Sequence, residues 1–66
     1  MSEAERLNAI NWILLHLGVG LLEAETDQRL LLHLREIHKV RPVEEMWPCF
    51  QERLLAWFEA YQRAFA

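Results

Sequence analysis

The stretch from Leu7 to Ala24 carries more apolar circumference than one short chain readily covers. Wound as a helix at about 100° per residue, Leu7, Ile10, Leu14, Leu17, Leu21 and Ala24 form one stripe, and Trp12, Leu15, Val19 and Leu22 form a second. Only a narrow polar strip remains, near Glu5, His16 and Glu23. A surface helix shows one apolar stripe; a helix apolar nearly all round must be enclosed on several sides. In a chain of 66 residues the candidates for that cover are few, so the pattern predicts self-association or a protein partner.

Size sharpens the expectation. A domain of this length buries only about 60% of the surface its unfolded chain exposes, and such domains lean on disulfides, metals or oligomerisation. Cys49 is the only cysteine, so the chain forms no internal disulfide and reads as cytosolic rather than secreted. Two metal ligands on one helix face need a spacing of three or four, whereas His33 and His38 are five apart and His16 belongs to another segment. No metal or other cofactor is expected. Oligomerisation remains, and the 53% hydrophobic content supplies what it requires.

Ser2 followed three residues later by Glu5 is a capping-box spacing immediately before Leu7, so helix 1 should start there. The 3,4 spacing of Leu14, Leu17 and Leu21 runs through Gly18-Val19-Gly20 without a phase shift. It favours a helix continuing to about Glu25, with the glycines admitting a neighbouring backbone, over a break at the glycines. Thr26 or Asp27 is expected to cap helix 2 after a two- or three-residue connection, giving an antiparallel pair. Leu30, Leu34 and Ile37, widened by Leu31 and Val40, form its stripe, and Pro42 ends it near Val40. Pro42 opens a short turn bearing Glu44 and Glu45, and Pro48 starts or kinks helix 3. On that helix Phe50, Leu54, Trp57, Phe58, Tyr61 and Phe65 share one arc, opposite Glu52, Arg53, Glu59 and Arg63. No alternation at period two suggests a strand.

The expected fold is all-α, one domain over residues 1–66: a three-helix unit forming a homodimeric helical bundle. Leu7, Ile10, Leu14, Leu17, Gly18 and Leu21 would line the dimer axis. A closed monomeric bundle is the alternative.

Catalytic signatures are missing from the pattern: no Gly-rich phosphate loop, no serine elbow and no paired carboxylates. Cys49, near a helix start, is better read as a small buried residue than as a nucleophile. No segment is long and apolar enough to span a membrane, and no secretion signal is expected. The functional expectation is therefore a non-enzymatic cytoplasmic module that binds another protein as a regulator, antagonist, adaptor or chaperone-like factor. Trp12 and Trp47 are the candidate partner contacts, since tryptophan dominates interface energetics. Arg35 and Lys39, one turn apart, complete the set; they also carry the alternative reading, a nucleic-acid-binding regulator with a basic ridge on helix 2. The net charge of −3 opposes that alternative.

Overall fold

A computed structural model describes the backbone of residues 2–65 and the side chains of residues 2–64. Three α-helices, α1 (Glu3–His16), α2 (Glu25–His38) and α3 (Trp47–Phe65), are joined by segments that each contain a single 3₁₀ turn, Val19–Leu21 and Val43–Glu45. The all-α three-helix expectation holds, and among the described residues there is no strand.

Helix α1 starts where the sequence places it: Ser2 Oγ accepts a hydrogen bond from the Glu5 amide at 3.2 Å. Its end differs from the expectation. Leu17 (φ −65°, ψ 123°) and Gly18 (φ −72°, ψ 127°) are extended, so the helix stops at His16, and the chain turns through Val19–Leu21 before α2. Neither glycine admits a neighbouring backbone. A Cβ on Gly18 would meet only the Leu21 side chain, at 3.8 Å, and one on Gly20 would meet nothing within 4 Å. The predicted long helix and tight antiparallel connection are thus replaced by a shorter helix and an eight-residue link.

This break answers the problem of excess apolar circumference. The second half of the stretch leaves the helix axis and packs against α2 and α3, while α1 itself is covered by α3, α2 and the Val43–Glu45 turn. Ile10, Ile13, Leu14, Leu17 and Leu22 join Leu31, Leu34, Val43, Met46, Leu54 and Trp57 in one core. Of the side chains expected at a dimer axis, Ile10, Leu14 and Leu17 are at most 2% exposed within the single chain. Leu7 and Leu21 pack against the same core, and Gly18 is exposed. That face is an internal one, because α3, α2 and the Val43–Glu45 turn pack over it within the single chain.

Arg35 holds the break in place. From α2 its Nε donates to the Leu14 carbonyl at 2.8 Å, and its Nη2 donates to the Leu17 carbonyl. A helix leaves its last carbonyls without intrahelical donors. The guanidinium supplies two of them and places positive charge at the negative pole of α1.

Helix α2 is not capped by Thr26 or Asp27. Its N-cap is Ala24, with no side-chain hydrogen bond. Instead, Gln28 Nε2 donates back to the Leu22 carbonyl, and Asp27 pairs with Arg53 of α3. Leu31 and Leu34 are buried, with Leu30 and Ile37 half-buried beside them. The expected stripe is correct there, but Val40 falls after the helix end and is 82% exposed. The turn after Pro42 forms at Val43–Glu45, and Val43 and Met46 are inserted into the core.

Pro48 is the second residue of α3, inside the first turn, where the missing amide costs no intrahelical bond. Leu54 and Trp57 are buried, Phe50, Phe58 and Tyr61 are half-buried, and Glu52, Arg53, Glu59 and Arg63 face outward. The expected place of Phe65 on the same arc lies outside the described side chains.

Candidate functional site

Between α1 and α3 the surface opens into a groove of about 690 Å³. Helix α1 supplies Glu5, Asn8, Ala9 and Trp12, and α3 supplies Phe58, Tyr61 and Gln62. The floor is aromatic. The Trp12 ring meets Tyr61 edge-on, with centroids 4.1 Å apart and planes at 72°, and meets Phe58 at 5.7 Å and 82°. Edge-to-face rings attract through their quadrupoles by about 0.5–1.5 kcal/mol per pair. Trp12 is thereby oriented while remaining only partly buried. His16 flanks it on the far side at 5.7 Å.

The groove follows from how the two helices distribute their apolar residues. On α1 the core-facing side is occupied by Ile10, Ile13 and Leu14, which places Trp12 on the flank of that face. Leu15, one turn beyond Trp12, is 65% exposed and continues the apolar surface outward. On α3 Phe58 lies between the core residues Leu54 and Trp57 and the solvent side. The half-buried Leu55, one turn before Phe58, extends the other wall.

The expected contact residues do not gather here. Trp12 is central to the groove, but Trp47 opens α3 elsewhere, packed against the core with the Arg6 guanidinium over its ring at 5.3 Å. Arg35 is committed to the end of α1, and Lys39 pairs with Glu36 at 3.0 Å. A guanidinium bound to two backbone carbonyls is not presented on a ridge, so the basic feature expected from Arg35 and Lys39 does not form. Cys49, read as a small buried residue, is exposed at the start of α3. The Nδ1 of His38 is buried without a hydrogen-bond partner among the described residues.

By spacing Phe58 and Tyr61 belong to the apolar arc of helix 3, and Tyr61 reads as core with Phe50 and Trp57; the structure places Phe58 and Tyr61 half-buried on the groove instead. The signal lies in the width of that arc: residues at its edge stay half in water. Among the described residues no group of three or more histidines, cysteines, aspartates or glutamates is placed to hold a metal ion. No helix there is long and apolar enough to cross a membrane.

Comparison of the chain with protein-family models, with curated proteins and with solved structures finds no match.

Proposed function

We propose that this chain is a small non-enzymatic interaction module, which binds another protein through the Trp12 groove and thereby modulates it. One observation carries the reading: a tryptophan held edge-on by two other rings, partly exposed in a groove beside the exposed Leu15. Burying such surface is worth about 25 cal/mol per Å². Clustered apolar exposure of this kind usually marks a protein contact rather than a solvated face. Tryptophan is also the side chain most often found to dominate interface energetics. The architecture suits the role, since α1 and α3 are fixed by a shared core and present a preformed surface.

Site-specific crosslinking in the native host tests the proposal. A photoreactive residue at Asn8, on the groove, is expected to give a discrete heavier adduct that Trp12→Ala abolishes. The same residue at Arg29, on α2, is expected to give none. Equal labelling from both positions, or none from Asn8, would overturn the reading.

A further inference from the structure

Taking the docking groove above as given, we infer that its occupant is a basic amphipathic helix of a partner protein, with apolar side chains entering between α1 and α3 and lysines or arginines along its flanks. The argument comes from how the chain uses its charges. Glu3, Glu25, Glu36, Glu45 and Asp27 pair with Arg6, Arg29, Lys39, Arg41 and Arg53. Arg35 is taken by the carbonyls of α1. Among the described residues Arg63 is then the one lysine or arginine without such an engagement. The carboxylates without an ion pair there are Glu5, Glu23, Glu44, Glu52 and Glu59.

One of these carboxylates lines the groove, and a second lies one turn from a lining residue. Glu5 lines its α1 side, with its backbone amide fixed by Ser2 and its carboxylate left unpaired. Glu59 lies one turn from Gln62 on the α3 side. An apolar slot between unpaired carboxylates selects an apolar ligand face with cationic edges, because complementary rim charge steers encounter and disfavours like-charged competitors. The slot runs between two helices and its floor is aromatic, which matches helix-in-groove recognition through side chains at i, i+3, i+4 and i+7. A second copy of this chain is a poor occupant. It brings the same surplus of carboxylates to the rim, and among the described residues its bases other than Arg63 are already engaged.

Two synthetic peptides provide the test, each of about 18 residues so that a helix can form. Both carry leucine at i, i+3, i+4 and i+7, with lysine at the remaining positions in one and glutamate in the other. Titration by calorimetry is expected to show saturable micromolar binding of the Leu/Lys peptide and at least roughly tenfold weaker binding of the Leu/Glu peptide. Trp12→Ala is expected to lose about thirtyfold in affinity for the Leu/Lys peptide.

Charge variants separate local recognition from bulk attraction. Glu5→Lys with Glu59→Lys should weaken the Leu/Lys peptide by about fivefold to tenfold. Glu23→Lys with Glu44→Lys changes the net charge equally, away from the groove, and should weaken it by less than about twofold. These exposed substitutions leave the core intact, so they decide the matter even if Trp12→Ala unfolds the chain. Failure of the Leu/Lys peptide to bind, equal weakening by the two charge pairs, or Trp12-dependent binding of both peptides alike would overturn the basic partner. Of these, Trp12-dependent binding of both peptides would leave the docking groove standing. Binding of the Leu/Lys peptide that survives Trp12→Ala in a folded protein would overturn the groove as well.

Discussion

Arg35 shows how far a residue's role can depart from its class. By charge and spacing it belongs to a basic ridge with Lys39, yet its partners are backbone carbonyls 21 and 18 residues earlier. Those acceptors exist only because α1 stops, and no local pattern around Arg35 records where another helix ends. Replacing Arg35 with methionine keeps much of its apolar stem and removes both donors to carbonyls at a part-buried site. Hydrogen bonds from charged groups are worth about 1.5–3 kcal/mol. We therefore expect Arg35→Met to lower unfolding stability by about that amount in urea titrations, with Arg35→Lys recovering only part because a single ammonium does not reproduce the fork. Lys39→Met should change stability by less than about 1 kcal/mol, since its pair with Glu36 is exposed. Similar losses for Arg35→Met and Lys39→Met would contradict the capping role.

At the scale of elements, the sequence carried the three helices, the Ser2 start of α1, the turn after Pro42 and the buried face of α3. Each of these rests on interactions between near neighbours in the chain. Spacing alone misplaces the end of α1, because the 3,4 pattern of Leu14, Leu17 and Leu21 persists through a segment that is no longer α-helical. Leu17 and Leu22 reach the same core from extended and turn backbone. Helical periodicity is therefore necessary here but not sufficient, and the two glycines, each costing up to about 1 kcal/mol in a helix interior, were the stronger local signal.

The two glycines also permit a direct test. Gly18 has an extended backbone that alanine adopts freely, neither glycine has positive φ, and a Cβ finds ordinary space or none occupied at either site. Alanine there mainly reduces the freedom of the unfolded chain, so Gly18→Ala and Gly20→Ala should each be neutral or stabilising by up to about 1 kcal/mol. A loss of more than about 1 kcal/mol from either, by thermal or urea unfolding, would instead support the close approach that the sequence suggested.

For the whole molecule, the apolar excess that pointed to an obligatory associate is largely resolved within one copy. What remains outside the core is the partly buried Trp12, Phe58 and Tyr61 of the groove together with the exposed Leu15, Leu32 and Val40, rather than the stripe of Leu14 and Leu17. Sequence periodicity counted the apolar residues correctly. Their division between core and groove depends on how α1 and α3 pack together, which is a tertiary outcome and not legible in spacing alone. The candidate site was accordingly visible only in Trp12.

The central claim is that one copy closes its own core and leaves the groove as a separate, optional surface. Thermal unfolding followed by circular dichroism from about 1 µM to about 100 µM protein tests it most directly, because a folded state that requires a second copy is stabilised by mass action over that range by roughly 2.7 kcal/mol. The account predicts a midpoint independent of concentration; a midpoint rising by about 5 °C or more would contradict it.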